Sequence, residues 1–472
     1  MNAARVPIVV LGAGPAGLGA ALQLSRRREF TVTVVERQDS VGGNSGSFEL
    51  DGQRVDYGSH RLHPTCAPEI LDDIRAMLGE DLLDRPRHGR IRLRDRWVHF
   101  PLQPIDLALH LPPTFALGAM RDAISRSARA NDQESFAGLL ENQLGPTICR
   151  DFYFPFAEKI WGLPPHEIDA EQARRRVSAG SLAKIARKVL SAVPGVGRRG
   201  TGRFFYPSRG YGQICDAYRD AAAEAGASIE LNSSVNAIEV QSEGEVAVVV
   251  DGADGPRRLL AGQVLSTIPL TSLVRAIRPA APADVVESAR ALRYRSMLLV
   301  YLVLGTDRFT EYDAHYFPGA DVAITRLSEP KNYAMTGVAG MTVLCAELPC
   351  APDDEYWKLS DEHLADLVVD SMARAGLSVG SEVRGVVTKR LTHAYPIYNR
   401  GYQEHLDRLD TWVAGIDGVL SLGRQGLFVH DNTHHTLAMA YGAVSCLRAD
   451  GSVDRDRWAM ERRRFEDHVV ED

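Results

Sequence analysis

The sequence predicts an α/β fold that joins a dinucleotide-type βαβ unit to a mixed α+β domain. Residues 7–37 read as a strand, a glycine-rich loop, a helix and a second strand. Helical periodicity with many Ala, Leu and Arg dominates residues 105–200, and apolar runs of strand length follow at 263–269 and 295–305. A chain of 472 residues, 45% of them hydrophobic, is long enough for two or more such domains.

The first βαβ unit carries a G-x-G-x-x-G loop made by Gly12, Gly14 and Gly17. The first glycine would make the tight turn, the second would let a pyrophosphate approach the backbone, and the third would let helix and strand pack closely. The anion would lie at the helix N-terminus, beside Pro15 and Ala16, where free N–H groups and the helix dipole favour negative charge. The pattern predicts a Rossmann-like domain that binds a dinucleotide.

An acid ends the second strand of this unit. Glu36 lies 19 residues after Gly17, about where a carboxylate binds the 2′-hydroxyl of an adenosine ribose. A glutamate there disfavours a 2′-phosphate, and the neighbouring Arg37 is a further predicted cofactor contact. A purely structural glycine turn is the alternative, but strand, helix and acid are all in register.

Turn residues predict further elements along the chain. Residues 49–57 and 90–101 read as hairpins that turn at an Asp-Gly and an Arg-Asp pair. Residues 211–226 read as a helix ended by its last glycine, and 418–426 read as a strand that runs into a glycine loop before a closing helix. The predicted dinucleotide-binding domain is therefore discontinuous, with segments 1–104, 201–275 and 411–472 separated by a helical substrate domain at 105–200 and a sheet-containing substrate domain at 276–410.

Composition excludes several classes of partner and location. The net charge is −7 with Lys and Arg scattered, so we expect no nucleic-acid partner. Six cysteines without a CxxC pair indicate a reduced, cytoplasmic protein rather than a disulfide scaffold. The apolar start has glycines at motif spacing instead of the features of a signal peptide, and no long uncharged apolar run predicts a membrane span.

The stretch after the second strand, residues 36–64, reads ERQDSVGGNSGSFELDGQRVDYGSHRLHP. It resembles flavoproteins of the amine oxidase, protoporphyrinogen oxidase and UDP-galactopyranose mutase superfamily, which carry an acid, a Gly-Gly pair with a polar residue, and D-x-G-x-H facing the flavin. The resemblance implies FAD as the cofactor and a GR2-type FAD-binding domain. A loop without Cβ atoms would let the chain pass close to the phosphates and the isoalloxazine. The implied FAD contacts are Gly43, Asn44, Ser59, His60 and, further along, Val235.

Later segments extend the resemblance in order along nearly the whole chain and favour the UDP-galactopyranose mutase-like branch. In that branch, Arg176 and Arg326 match arginines that clamp the substrate diphosphate, and a guanidinium fork pairs bidentately with phosphate oxygens. Tyr316, Tyr333 and Tyr395 match aromatic positions near the sugar and diphosphate. The alternatives are ordinary ion-paired arginines and core tyrosines. The matching segments are residues 151–177, 203–218, 315–334, 392–402 and 423–444.

Residues 428–436, FVHDNTHHT, place three histidines and an aspartate together. In the superfamily a helix N-terminus here points at the flavin, where its dipole stabilises negative charge on the reduced ring. His430 and His434 are four apart, but no further ligand supports a catalytic zinc, so we expect no metal. A helix cap with solvated imidazoles is one alternative, and a pocket-lining or proton-handling role, shared by His60 and His430, is the other. The implied FAD contacts here are Gly423, Arg424, Asn432, Thr433 and His434.

This segment also departs from the mutase pattern. Where mutases carry Asn-x-Asp-His, the chain has Asn432, Thr433, His434 and His435, so the aspartate is replaced. The departure argues against strict specificity for UDP-galactose.

Three functions follow from the resemblance. The first is a redox-neutral mutase that interconverts pyranose and furanose forms of a nucleotide-linked sugar through N5 of reduced FAD. The second is an FAD-dependent oxidase or desaturase that takes hydride from an amine, an alcohol or a saturated carbon. The third is a flavin-binding protein without catalysis. We expect a small-molecule substrate, with the oligomeric state left open and a homodimer as the form considered.

Overall fold

The computed structural model describes residues 5–103, 106, 109–124, 132–176, 202–241, 245–253, 255–334 and 337–470. Of the predicted helical domain at 105–200, residues 105, 107–108, 125–131 and 177–200 lie outside this part. Within it, no helix combines the length and the apolar character needed to cross a bilayer.

A parallel sheet of five strands is built from the start, middle and end of the described chain. Its strands Val6–Leu11, Gln263–Ser266 and Val419–Ser421 are short, mainly apolar and largely buried, as expected for the centre of a parallel sheet. Helix Pro15–Ser25 packs against helices Gln213–Glu224 and Thr433–Ser445 on one face. The sheet thus joins the three segments assigned to the dinucleotide-binding domain, in the strand order Val419–Ser421, Gln263–Ser266, Val6–Leu11, Phe30–Val35 and Ser228–Glu230.

A second sheet, of seven strands in the described residues, forms the other half of the molecule. All its pairings are antiparallel except one, in which Ala314–Tyr316 runs parallel to Gly89–Leu93. Through that pairing, the predicted 90–101 hairpin joins the antiparallel sheet. The strand order is Val383–Pro396, Tyr294–Leu304, Thr342–Cys350, Arg326–Ser328, Ala314–Tyr316, Gly89–Leu93 and Arg96–Phe100.

Smaller elements complete the described fold. A four-stranded sheet has the strand order Gly255–Ala261, Val246–Gly252, Ser234–Val240 and Ile277–Arg278. Two two-stranded sheets pair Ser47–Leu50 with Gln53–Asp56 and Leu82–Pro86 with Arg203–Pro207. The remaining α-helices of at least seven residues are Pro68–Leu78, Pro113–Ile124, Phe136–Leu144, Phe154–Trp161, Ala170–Arg176, Leu270–Ala276, Ala283–Ala291, Asp361–Arg374, Tyr402–Ala414 and Arg455–Phe465.

Both predicted hairpins are confirmed, and one predicted loop is not. Asp51 and Gly52 have φ of 47° and 74°, and Arg94 and Asp95 have φ of 50° and 59°, the left-handed values that a two-residue hairpin turn requires. The glycine loop expected after strand Val419–Ser421 is instead a helical turn over Gly423–Gly426. It forms because the Leu427 N–H bonds back to the carbonyl of Gly423.

Candidate active site

A cavity of about 1010 Å³ is lined by residues of both large sheets and the loops between them. It runs from the glycine loop of the parallel sheet to the inner face of the antiparallel sheet, and most of the predicted site residues lie on its wall. Those residues are Gly12, Gly14, Pro15, Ala16, Glu36, Arg37, Gly43, Asn44, Ser59, His60, Arg176, Val235, Tyr316, Arg326, Tyr395, Arg424, Asn432 and Thr433.

The glycine loop is shaped for a close approach by a pyrophosphate. Gly12 has φ of 96°, and a Cβ there would lie 2.7 Å from Oγ1 of Thr267. A Cβ on Gly17 would lie 1.9 Å from the carbonyl oxygen of Gly12, so this glycine lets helix and strand pack. A Cβ on Gly14 would meet no protein atom within 4 Å, since this position opens on the cavity. Helix Pro15–Ser25 begins there without a side-chain cap, which leaves its first N–H groups for an anion.

The Glu36 carboxylate is fixed beside this loop. Its two oxygens accept hydrogen bonds from the backbone N–H groups of Ala13, at 2.8 Å, and Gln38, at 3.0 Å. These bonds hold the acid on the cavity wall next to Arg37, as a ribose-binding carboxylate requires.

The loop that contains Gly42 and Gly43 (the Gly-Gly loop) packs against the glycine loop of residues 12–17. The Gly42 N–H bonds to the carbonyl of Ala13, and a Cβ on Gly43 would lie 3.6 Å from Cα of Gly14. Asn44 donates from Nδ2 to the carbonyl of His393 at 2.9 Å, which ties this loop to the antiparallel sheet. The two loops form a narrow cradle that fits the diphosphate of FAD.

His60 lies on the cavity wall at the end of the D-x-G-x-H stretch. Its ring stacks on Tyr211 with centroids 5.3 Å apart, and its Nε2 lies 2.8 Å from the carbonyl of Tyr57. Burial lowers the pKa of His60, so the neutral ring donates from Nε2 to that carbonyl. Asp56 anchors the same stretch by accepting hydrogen bonds from the Tyr206 hydroxyl and the Tyr211 N–H.

Seven arginines of the described chain line the cavity, among them Arg61, Arg176, Arg326 and Arg424. Of these four, Arg61 and Arg326 have acidic partners. Arg326 makes a forked ion pair with Glu347, with both hydrogen bonds at 2.9 Å. Arg61 lies 3.3 Å from Asp313 and donates to the hydroxyl of Tyr316. Burial opposes the charge of Arg326, but Glu347 raises its pKa well above the ordinary value.

The other two arginines form a cationic wall with Tyr395. The guanidinium carbons of Arg176 and Arg424 lie 4.8 Å and 5.2 Å from the centre of its ring. Neither arginine makes an ion pair within the described residues, and the Nε of each is buried without a hydrogen-bond partner there. Burial lowers the pKa of Arg424, but a guanidinium remains charged at neutral pH. This wall (Arg176, Tyr395 and Arg424) offers unsatisfied donors to an anionic ligand.

Four of the predicted site residues do not line the cavity, and one of them, Gly17, has the packing role that the sequence predicts. Gly17 and Gly423 serve packing, since a Cβ on Gly423 would lie 2.7 Å from Cβ of Ala16. His430 lies one layer behind the wall, with its ring stacked on Tyr395 at 6.0 Å, because the closing helix begins only at Thr433.

His434 points into the protein interior instead of the cavity. Both its ring nitrogens lack a hydrogen-bond partner in the described part of the chain, and burial lowers its pKa to about 3. Because His430 precedes the helix, the two histidines do not share a helix face, although they are four residues apart.

A different set of groups from this segment comes together. Asp431, His435 and His468 place ligand-type atoms within 4.8 Å of one another. Nδ1 of His435 and Nδ1 of His468 lie 3.0 Å and 3.3 Å from the Asp431 carboxylate. The two imidazole rings stack with an interplanar angle of 13°. Burial opposes the charge of Asp431, but hydrogen bonds from the two histidines lower its pKa. Nearly parallel rings do not converge on one ion, and the absence of a metal stays a prediction.

Sequence reasoning missed several residues of the cavity wall. Arg61 directly follows His60 in the recognised stretch, so its position was an available signal. Glu347 had no local signal, because its role depends on the register between strands Arg326–Ser328 and Thr342–Cys350. Tyr333, expected near the substrate, is buried in the core beside Phe204 and Tyr206.

Comparison with known proteins now identifies the family. Residues 15–444 match the family of flavin-containing amine oxidoreductases. The chain belongs to this family. FAD is therefore its cofactor, in agreement with the cradle of glycine loop, Glu36 and Gly-Gly loop, and the family consists of flavin-dependent enzymes.

Relatives of several activities share the sequence or the fold. The chain is 28% identical over 283 residues to a putative flavin-containing monoamine oxidase AofH of Mycobacterium tuberculosis, covering 56% of this chain and 57% of that protein. It is 46% identical over 80 residues to a phytoene dehydrogenase of Streptomyces griseus, covering 16% and 15%. The chain thus spans less than two thirds of these relatives. A crystal structure of reduced UDP-galactopyranose mutase superposes with a TM-score of 0.80 at 20% identity, covering 99% of this chain and 100% of that chain, which shows a common fold.

Proposed function

We propose that the protein is an FAD-dependent mutase that acts on a nucleotide-linked sugar and interconverts its pyranose and furanose forms without net redox change. The observation that carries the proposal is the cationic wall. Arg176 and Arg424 reach the cavity without an acidic partner in the described chain, and the same cavity contains the FAD cradle. A diphosphate is the kind of ligand group that two such guanidiniums bind.

The charges of the cavity favour an anionic substrate over a protonated amine. Seven arginines and Lys389 line the described part of it, against four acids, Glu36, Asp39, Glu347 and Asp431. Glu347 compensates Arg326, and Asp313 lies beside Arg61. The uncompensated pair at Tyr395 would repel an ammonium group in a partly desolvated site. The same charges favour an anionic substrate over the amines that other members of the family oxidise.

In the proposed reaction, the protein's residues bind and orient the substrate. Arg176 and Arg424 would hold the nucleotide diphosphate as it leaves the anomeric carbon, which supports the reaction with binding energy from a remote part of the substrate. Tyr395 would lie against the same diphosphate, and the Tyr316 hydroxyl lines the cavity beside Arg61. Reduced FAD supplies a nucleophilic nitrogen, N5, for the exchange at the anomeric carbon.

A second candidate is an FAD-dependent oxidoreductase, either an oxidase or a desaturase, with an anionic hydride donor. One observation favours it: Glu347 neutralises Arg326, which the resemblance assigned to a diphosphate clamp. A clamp with one free cation fewer is less suited to a nucleotide diphosphate.

Anaerobic incubation of oxidised and dithionite-reduced protein with a panel of nucleotide sugars decides between these functions. Sugar isomers are read by chromatography and the redox state of the flavin by absorbance. A new isomer that forms only with reduced flavin, without net flavin turnover, is expected for the mutase. If no isomer forms, the mutase is excluded, and donors that bleach the oxidised flavin are then screened.

A further inference from the structure

The Arg326–Glu347 pair is built into the sheet as a fixed unit. The two residues are direct cross-strand partners on Arg326–Ser328 and Thr342–Cys350. Nε and Nη2 of the guanidinium each donate to one carboxylate oxygen at 2.9 Å, and Glu347 is only 4% exposed. Bidentate pairs of this kind are both strong and geometrically specific.

Glu347 is also tied to the loop that carries Ser59 and His60 on the cavity wall. Its Oε1 accepts a 2.9 Å hydrogen bond from the backbone N–H of Ser59, and a Cβ on Gly58 would approach the same oxygen to 3.2 Å. A carboxylate held by both a guanidinium and a backbone N–H has no room to rotate away when a ligand enters. The charge of Arg326 therefore stays compensated in the liganded protein.

The pair retains hydrogen-bonding capacity while it lacks net charge. Two guanidinium nitrogens of Arg326 face Glu347, which leaves Nη1 directed away from the carboxylate. Both residues line the cavity together with Tyr316. A neutral pair with a remaining N–H donor suits an uncharged oxygen, whereas the cationic wall suits an anion.

We propose that Glu347 is a specificity-determining residue: it assigns the anionic group of the substrate to the cationic wall and leaves Arg326 to bind an uncharged oxygen, such as a sugar hydroxyl. The inference deepens the proposed function and rests on it for the sugar. In this assignment Arg176 and Arg424 bind the diphosphate from one side of the cavity, and Arg326 does not contact it. The ligand's orientation in the cavity follows from this asymmetry.

Glu347→Gln tests the inference by removing the compensating charge while keeping the side chain's size. Binding of inorganic pyrophosphate to the oxidised holoenzyme is followed by the perturbation of the flavin spectrum. The variant is expected to bind pyrophosphate roughly fivefold to tenfold more tightly than the parent protein, because Arg326 becomes a free cation. Unchanged or weaker binding would overturn the proposal.

Glu329→Gln is the matched control, since Glu329 is a buried acid next to the same strand but does not line the cavity. Its pyrophosphate affinity is expected to equal that of the parent protein. An increase equal to that of Glu347→Gln would show a general charge effect and overturn the assignment.

A double variant, Arg326→Met with Glu347→Met, covers the case in which Glu347→Gln does not fold. Replacing both partners of a buried pair by apolar groups avoids leaving a buried charge. The double variant is expected to keep its affinity for UDP within about threefold, whereas a clamp role for Arg326 requires a loss of about tenfold or more. FAD content and thermal unfolding confirm that each variant is the intact holoenzyme.

The two hypotheses fail in different experiments. If no sugar isomer forms but Glu347→Gln gains pyrophosphate affinity, the mutase is excluded and the charge assignment stands. If isomer forms and the affinity is unchanged, the mutase stands and the role of Glu347 is excluded. Pyrophosphate needs no nucleotide specificity, so the gain is measurable even if the parent protein binds no UDP.

Discussion

The carboxylate of Glu36 accepts a hydrogen bond of 2.8 Å from the backbone N–H of Ala13, so the acid of the second strand is locked to the glycine loop. The acid and the glycine loop therefore have a fixed position relative to each other.

Glu36→Ala should therefore weaken FAD binding by about 10- to 100-fold, the effect of losing charge-assisted hydrogen bonds. Titration of FAD into apoprotein, followed by quenching of flavin fluorescence, measures the change. Glu29→Ala removes an acid that ion-pairs with Arg27 near the same sheet but away from the cavity, and it should leave the affinity unchanged. A Glu36→Ala protein that purifies with full FAD would contradict the ribose assignment.

Substitutions at two glycines of the loop should separate cofactor binding from folding. Gly14→Ala places a methyl group into the open cavity, so the protein should fold normally and lose FAD. Gly17→Ala drives a Cβ to 1.9 Å from the carbonyl of Gly12, which should destabilise the fold by about 3 kcal/mol or more. Chemical denaturation of the apoproteins tests the contrast, and equal stability of the two variants would disprove it.

Arg176→Gln should reduce the affinity for UDP by about 10- to 100-fold while FAD remains bound, because a charge-assisted contact to phosphate is lost. The matched control is Arg174, an exposed residue two positions before Arg176 on the same helix. Arg174→Gln should bind UDP like the parent protein. Flavin difference spectra measure both affinities, and an equal loss in the two variants would point to a general electrostatic effect.

Burial of His434 should make the protein sensitive to mild acid. The unfolded chain takes up a proton near pH 6.5, whereas folded His434 does so only near pH 3. The stability contributed by the neutral ring is therefore complete above about pH 6.5 and is lost as the pH falls towards 3.

Between pH 7 and pH 4.5, the free energy of unfolding of the parent protein should fall. The fall should be smaller for His434→Leu, by up to about 3 kcal/mol. His166→Leu changes a histidine whose side chain is 73% exposed and should follow the parent's pH profile. Urea denaturation at several pH values measures the free energy of unfolding. Identical profiles for His434→Leu and the parent would show that this ring is not the source of the acid sensitivity.

Local chemistry explains which features were predictable from the sequence. The glycine loop, Glu36 and the hairpin at Asp51 depend on backbone conformation and spacing within short stretches, and the structure has them where they were expected. The pairing of Arg326 with Glu347 depends on the register of two strands, and sequence alone does not give that register. His434 was misplaced because its neighbours in sequence line the cavity, while the helix turns its ring inward.

The order of the parallel strands has a consequence for biosynthesis. Strand Val419–Ser421 and the N-terminus of helix Thr433–Ser445 complete a cradle whose first loop is made by Gly12 and Gly14. A nascent chain that has emerged only as far as residue 410 presents the glycine loop but lacks Arg424. The cofactor can therefore be enclosed only after the segment that carries Arg424 has been synthesised, and until then the early sheet depends on chaperones or on its own transient stability.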